Sequence, residues 1–186
     1  TAADDTITVA QGMLPTGATS ATAGLTIIDP EGANDADVLS ATVLNGDWDL
    51  GTLISNVETV NLNFLAPGPF AMSSILPGTD TLNISGLASS GAISNVLTGT
   101  AIGIGAGYAQ TVTVTSPVGN IAALSLNLNG NSFTTSATSP TFAVGGQDIT
   151  ALTINANASS SLNTDTNANT LTAVTLAGAG NVTIFD

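Results

Sequence analysis

The chain has 186 residues, with 13 acidic residues, no lysine, arginine or histidine, and a formal net charge of −13 at pH 7. Without basic side chains it has nothing to place on nucleic-acid phosphates or on an anionic lipid surface, so neither is expected as a partner. The absence of cysteine likewise excludes disulfides and thiolate metal sites.

Hydrophobic residues make up 43% of the chain and aromatic residues only 4%. Much of the hydrophobic fraction is alanine, so the core must be thin and built from Leu, Ile and Val. Threonine suits half-exposed strands, while glycine and asparagine supply turns. The composition therefore predicts an all-β protein. No apolar run approaches the roughly 20 residues of a membrane helix, so membrane insertion is not expected.

The clearest strand signal in the acidic first part of the chain ends at residue 64. There Val60, Leu62 and Phe64 alternate with two asparagines. A period of two indicates a strand with one buried face. Three prolines between residues 66 and 78 are expected to interrupt any regular ladder. The predicted strands of this part cover residues 6–9, 24–28, 38–44 and 57–64.

The second part of the chain is nearly free of charge, since ten of the 13 acidic residues lie at or before Asp80. It consists of short alternating segments separated by Gly, Ser, Asn and Ala. The glycine-rich segment 99–107 is interpreted as a flexible turn or close-packing segment. The predicted strands are centred near Ile84, Val114, Leu126, Ile154, Val174 and Ile184.

These patterns predict an irregular parallel β-solenoid in residues 80–186 and a β-rich region in residues 1–79, with one continuous domain as a possibility. The intervals between strand centres differ, as in a solenoid whose turns vary in length. A β-sandwich is the alternative, because short strands with frequent turns also describe it. The scarcity of large rings and the small residues flanking the strands favour the solenoid.

Two segments carry a family resemblance: Asn56-Val57-Glu58-Thr59-Val60-Asn61-Leu62 and Asp80-Thr81-Leu82-Asn83-Ile84-Ser85. Over residues 35–64 and 80–186 the chain resembles bacterial S-layer proteins and calcium-dependent, repeat-bearing surface adhesins. The resemblance implies a β-rich surface domain, Ca²⁺-dependent order and assembly into lattices or fibres. The chain departs from the calcium β-roll members because the Gly-Gly-x-Gly-x-Asp nonapeptide does not occur.

A calcium site is predicted in the acidic loop between residues 29 and 37. Carboxylate and amide oxygens on a glycine-containing loop are the ligands Ca²⁺ prefers, although the spacing is not that of an EF-hand. Asp4 and Asp5 are candidates to complete the shell from another strand or subunit. For Glu58, on the same side of its strand as Val60, two explanations stay open: pairing with an ion or amide, or a bulge that reverses the face. The predicted ligands are Asp29, Glu31, Asn34, Asp35, Asp37, Asp47, Asp49, Glu58 and Asp80.

Catalysis is not predicted. Without His, Lys or Cys, a Ser-His-Asp triad, a Ser-Lys dyad and a His-ligated zinc are all excluded. A two-carboxylate glycosidase would need aromatic sugar platforms, and only Trp48, between Asp47 and Asp49, offers one.

The predicted function is that of an extracellular structural protein at the bacterial cell surface. It would self-assemble as a homo-oligomer or polymer into a layer, sheath or filament stabilised by Ca²⁺, with a cell-surface polysaccharide as a further candidate partner. The alternative is an adhesin-type glycan-binding domain, with Trp48 or Tyr108 in contact with the glycan. An ice-binding solenoid is a third possibility, suggested by the Thr-x-Thr spacing of residues 111–115.

Overall fold

The computed structural model describes residues 4–9, 26–30, 35–43, 53–65, 70–71, 76–86, 91–94, 100–105, 112–115, 123–130, 142–145, 150–163 and 172–185. Within these ranges the protein is all-β and contains no helix, so none long and apolar enough to cross a membrane is found there. The strands are β1 (Thr6–Val9), β2 (Thr26–Ile28), β3 (Val38–Val43), β4 (Leu53–Ser55), β5 (Thr59–Phe64), β6 (Phe70–Ala71), β7 (Thr81–Gly86), β8 (Gly91–Ser94), β9 (Ala101–Ile104), β10 (Val112–Thr115), β11 (Ala123–Asn129), β12 (Phe142–Gly145), β13 (Ala151–Ala158), β14 (Ser160–Asn163), β15 (Ala173–Ala177) and β16 (Val182–Phe185).

The odd-numbered strands form one parallel sheet of eight strands, in the order β1-β3-β5-β7-β9-β11-β13-β15. The even-numbered strands form smaller parallel sheets, with the strand orders β2-β4, β12-β10-β8-β6 and β14-β16. Each coil of the chain thus contributes one strand to the large sheet and one to a smaller sheet. This arrangement confirms the predicted irregular parallel β-solenoid. An antiparallel sandwich does not fit, because the pairings between the described strands are parallel.

The coils differ in length, as the unequal strand intervals predicted. Hydrogen bonds between equivalent positions of neighbouring coils join residues 32, 21, 22 and 28 positions apart. The large sheet also crosses from the acidic part of the chain into the uncharged part, since β5 pairs with β7. The solenoid therefore includes β1 and is not confined to residues 80–186.

The core is the stack of inward-facing residues of successive coils. Leu39, Val60, Leu82 and Ile102 occupy equivalent positions on β3, β5, β7 and β9, and none of them is exposed to solvent. The stack continues along the solenoid through Leu126 and Ile154. On each strand, the residues that alternate with these buried ones face outward. This is the alternation predicted from the sequence.

Of the two interpretations of residues 99–107, the flexible turn is wrong for the described residues 100–105, whereas close packing agrees with the structure. Residues 101–104 form β9, in the middle of the large sheet, with Ile102 and Ile104 buried. Gly103 lies on the outer side of this strand, in register with Asn83. A Cβ atom on Gly103 would overlap the Asn83 side chain, so the glycine accommodates its neighbour.

Polar side chains on the outer face of the large sheet bond from coil to coil. The Asn61 side-chain amide donates to Ser40 Oγ at 3.2 Å, and that of Asn83 donates to Asn61 Oδ1 at 2.8 Å. Beyond Gly103, the Asn155 amide donates to Asn127 Oδ1 at 3.4 Å. The polar half of the sequence alternation therefore forms ladders along the solenoid axis.

Candidate metal centre

Four acidic residues each directly precede an odd-numbered strand of the first four coils. Because Thr6, Val38, Thr59 and Thr81 are in register, the residues before them stack as well. The next equivalent position is occupied by a threonine, Thr100, whose hydroxyl donates to the Thr79 carbonyl at 3.0 Å. The acidic column, defined as these stacked residues, consists of Asp5, Asp37, Glu58 and Asp80.

Backbone amides fix the carboxylates of this column. The Asp5 N–H donates to Asp37 Oδ1 at 2.7 Å, and the Asp37 N–H donates to Glu58 Oε2 at 2.9 Å. In the opposite direction, the Ala36 N–H donates to Asp4 Oδ1 at 3.1 Å. Each of these bonds crosses from one coil to the next. The orientation of Asp37 and Glu58 therefore follows from the stacking of the coils rather than from local loop structure.

The turn after β2 brings Asp29 to the same place. Its backbone N–H donates to the Ser55 carbonyl at 3.1 Å, and its carbonyl accepts from Asn56 Nδ2 at 3.1 Å. Asn56 has a φ of 58°, a left-handed conformation that asparagine tolerates better than most residues. This corner holds the start of the acidic loop against the coil above it.

Three carboxylates of the acidic loop converge. Asp29, Asp35 and Asp37 each offer an oxygen atom, and these atoms lie within 4.8 Å of one another. Asp29 and Asp37 are buried, with 6% and 3% of their surface exposed, and Asp35 is half-buried. We call these three residues the aspartate cluster. Such a group is compact enough to surround one cation.

Glu58 adds a fourth carboxylate beside the aspartate cluster. Only 8% of its surface is exposed, and its Oε2 atom is bound to the backbone of Asp37. Its Oε1 atom is buried without a hydrogen-bond partner within the described structure. Both carboxylate oxygens of Asp35 are also buried and accept no hydrogen bond from another described residue. Buried carboxylate oxygens are normally paired or bound to a metal, so these atoms are candidate ligands of a cation.

The pKa of Asp35 also indicates an excess of negative charge at this site. Desolvation raises the pKa of its carboxyl group above the ordinary value of 3.8, and the neighbouring carboxylates of Asp37, Asp29 and Glu58 raise it further. The backbone N–H of Asp35 itself lowers this pKa and offsets part of the rise. The site thus disfavours its own negative charge unless a proton or a cation compensates it.

The donor set is one of hard oxygen atoms from carboxylates. Such atoms suit Ca²⁺, which accepts six to eight oxygens in flexible geometry at about 2.3–2.6 Å, better than they suit softer metals. Mg²⁺ requires near-ideal octahedral geometry and retains several waters. The aspartate cluster lies on the connection between β2 and β3, beside Glu58, and its oxygens could hold a hard cation such as Ca²⁺.

The structure brings some of the predicted ligands together and leaves another apart. Asp29, Asp35 and Asp37 come together, with Glu58 beside them on the buried side of its strand, bound to a backbone amide. Asp80 is exposed, and it lies outside the aspartate cluster although its backbone N–H donates to the Glu58 carbonyl at 3.0 Å. The predicted ligands that fall outside the described residues are Glu31, Asn34, Asp47 and Asp49.

The acidic column itself was not predicted from the sequence, although a signal for it exists. An acidic residue immediately precedes the first residue of β1, β3, β5 and β7, and parallel coils must stack equivalent positions. Once strands are aligned by their first β-branched or apolar residue, the column becomes visible.

A shallow groove of about 200 Å³ lies on the outer face of the first coils of the large sheet. Six of its nine lining residues are polar, but the core residues Val9, Ala41 and Leu62 also contribute, and more of the lining surface is apolar than polar. The residues that line it are Thr8, Val9, Ser40, Ala41, Thr42, Asn61, Leu62, Asn63 and Ser85.

Comparison of the chain with known protein families, with curated proteins and with solved structures gives no match.

Proposed function

We propose that this protein is an extracellular structural protein of the bacterial cell surface that assembles into a layer or filament and is stabilised by Ca²⁺. One observation carries the proposal: three aspartates converge beside the buried Glu58 in a chain that has no basic side chain. The balancing charge therefore has to come from outside the chain.

A divalent cation supplies this balance better than the alternatives. Monovalent salt screens exposed charges but acts weakly on buried ones. Protonation compensates a carboxylate only when the pH falls to its pKa. Calcium provides two charges and accepts several carboxylate oxygens at once, and extracellular modules bind it with dissociation constants of about 10⁻⁴–10⁻³ M. An extracellular location would supply the ion at such concentrations.

The structural role follows from what the fold offers. Parallel coils stack along one axis, and each coil is stabilised by its neighbours, as in other repeat architectures. Unpaired strand edges in such folds are natural sites for association. The resemblance of residues 56–62 and 80–85 to S-layer and adhesin strands supports the same role at a bacterial surface.

The test is electron microscopy of the purified protein with calcium and with a chelator, on wild type and two variants. Asp35→Asn removes one carboxylate of the aspartate cluster, and Asp80→Asn removes an exposed one outside it. We expect ordered assemblies with calcium from wild type and from Asp80→Asn, and weaker calcium dependence from Asp35→Asn. Assemblies that form equally well in chelator would contradict the calcium part of the proposal, and a monomer under all conditions would contradict the assembly part.

The groove on the outer face favours glycan binding as the second candidate. Its hydroxyl and amide groups, among them Ser40, Asn61 and Ser85, are donors and acceptors suited to sugar hydroxyls. Trp48 and Tyr108, the predicted aromatic contacts, lie outside the described residues. A glycan array distinguishes the candidates: saturable binding that is lost in Asn61→Ala supports the adhesin function, and no binding supports the structural role alone.

A further inference from the structure

The end of β11 places an asparagine directly before a glycine at the surface. Asn129 is the last residue of this strand, Gly130 follows it, and both are exposed. Gly130 has a φ of 79°, a left-handed conformation that glycine adopts without strain. Because glycine has no side chain, nothing on Gly130 shields its backbone nitrogen from the Asn129 side chain. This dipeptide is therefore suited to a reaction between its two residues.

The reaction that this pair allows is cyclisation of the asparagine. The Gly130 backbone nitrogen loses its proton to hydroxide and attacks Cγ of Asn129, so that an N–Cγ bond forms. The Cγ–Nδ2 bond breaks, and the side-chain nitrogen takes a proton from water and leaves as ammonia. Water then opens the resulting succinimide at one of its two carbonyl carbons. Opening at Cγ gives aspartate, and opening at the backbone carbonyl carbon gives isoaspartate.

The next coil of the solenoid restrains the nucleophile of this reaction. The Gly130 N–H donates to Ser160 Oγ at 3.2 Å. Ser160 is only 6% exposed, and its hydroxyl and its N–H donate to the carbonyls of Ala158 and Asn181 at 2.9 and 2.8 Å. The acceptor is thus fixed in place. Since a hydrogen-bonded N–H keeps its proton and its peptide plane, the nitrogen can attack only after this bond opens.

The pairing between the coils is irregular at this point. The register between β11 and β13 shifts between Leu128 and Asn129, and the register skips Asn157 of β13. A bulge of this kind disrupts the ladder locally. Local opening requires less free energy at such a strand end than in the middle of a sheet. The hydrogen bond from Gly130 to Ser160 is therefore expected to limit the opening.

We propose that Asn129-Gly130 is a site of spontaneous deamidation and that the Ser160 hydroxyl of the next coil limits its rate. This inference goes beyond the proposed function, because the reaction needs neither calcium nor assembly. Either product places a carboxylate in a part of the molecule where none of the described residues from 81 onward is acidic. Isoaspartate also lengthens the backbone at the point where Asn129 pairs with Ala158. The modification would thus accumulate with time and loosen one contact between coils.

The test is mass spectrometry of the full chain after incubation in mildly alkaline buffer with calcium. Because the chain has no Lys or Arg, pepsin replaces trypsin for the digest. Conversion of Asn129 is measured from the replacement of an amide by a carboxyl group in its peptide, and isoaspartate from labelling by an isoaspartyl methyltransferase. The other Asn-Gly dipeptide, Asn45-Gly46, lies outside the described residues and serves as the reference in the same digests.

The Ser160→Ala variant removes the acceptor of the Gly130 N–H. Conversion of Asn129 in folded wild type should be slower than in denaturant. In Ser160→Ala it should become about two- to tenfold faster, the range expected for the loss of one hydrogen bond. Conversion of Asn45 should have the same rate in both folded proteins.

The Thr100→Val variant is the matched control. It removes a hydroxyl that donates to the Thr79 carbonyl, which is another contact between coils, and it should leave the rate at Asn129 unchanged. Asn129→Gln should abolish the mass change in that peptide, because the longer side chain would have to close a larger ring that forms more slowly.

Two results would overturn the proposal: no conversion of Asn129 in folded wild type while the denatured chain is converted, or equal rates in wild type and Ser160→Ala. Equal acceleration at Asn129 in Thr100→Val, or at Asn45 in Ser160→Ala, would indicate general loosening of the fold and would refute the role of Ser160.

Discussion

Glu58 is buried because of its position in the strand alternation. It precedes Thr59 and lies on the same side of the chain as Val60 and Leu62, which face the core. Removing a carboxylate from water costs several kcal/mol unless a partner compensates the charge. The backbone of Asp37 satisfies one oxygen but supplies no positive charge. The proposed cation would supply that charge.

The Glu58→Gln variant should separate the effect of this buried charge on folding from its effect on stabilisation by calcium. The amide keeps an oxygen for the Asp37 N–H and removes the buried charge, so the metal-free protein should gain about 1–2 kcal/mol of unfolding free energy. The additional stabilisation by calcium should fall, because one negative charge near the cation is lost. Chemical denaturation with chelator and with calcium measures both. A variant less stable than wild type in chelator and equally stabilised by calcium would contradict this account.

Asp35 should give the metal-free protein an unusual pH dependence. Because the pKa of its carboxyl group is raised in the folded state, the folded protein binds a proton more tightly than the unfolded chain. Above the raised pKa, the charged carboxylate of Asp35 lowers the unfolding free energy by its full amount. This loss is recovered as the pH falls through the raised pKa toward 3.8. In chelator, wild type should therefore approach Asp35→Asn in stability as the pH falls.

The measurement is the unfolding free energy of both proteins in chelator at several pH values, with Asp80→Asn as the control for loss of one charge. A constant difference between wild type and Asp35→Asn across this range would contradict the assignment.

At the scale of the element, the alternation predicted the strands of the large sheet well. β5, β7, β11 and β13 lie where Leu, Ile and Val alternate with polar residues. The acidic loop was also visible, since Asp29, Asp35 and Asp37 are close in the sequence as well as in space. Local patterns with a clear physical cause were sufficient for these elements.

The shortest strands and those that contain glycine were harder to predict. β4 and β6 have three and two residues, too few for a period to appear, and β8 and β9 contain glycine. The coil-to-coil register, which builds the acidic column, depends on pairings between residues more than 20 positions apart and not on local sequence. Only the stacking of the coils determines it.

Gly103 provides a test of that stacking. A Cβ atom would overlap the Asn83 side chain, which is held by its hydrogen bond to Asn61. Gly103→Ala should therefore lower the unfolding free energy by about 1–3 kcal/mol, as overpacking does elsewhere. In an Asn83→Ala background the same substitution should cost clearly less. Thermal or chemical denaturation of the four proteins completes the cycle, and additive effects would show that the overlap does not matter.

At the scale of the molecule, a uniformly negative chain is folded into a stack of coils with its described carboxylates in the first four. Each coil is stabilised mainly by its neighbours, so the proposed cation, by joining the first coils, would stabilise the part of the stack that carries these carboxylates.

Screening by monovalent salt should partly replace the stabilisation that calcium gives to the whole molecule. Raising monovalent salt from low concentration to about 0.15 M shortens the screening length from roughly 30 Å to about 8 Å. The melting temperature of the chelated protein should rise over this range, and it should rise less when calcium is bound. Differential scanning calorimetry with chloride salts measures both slopes; identical slopes would argue against a compensating bound cation.

The most direct measurement is isothermal titration of calcium into chelator-treated protein. The account predicts saturable binding by wild type and by Asp80→Asn, and binding weakened at least about tenfold in Asp35→Asn and Asp37→Asn, each of which removes a charged ligand. Wild type that gives no saturable heat, or cluster variants that bind calcium as tightly as wild type, would contradict it.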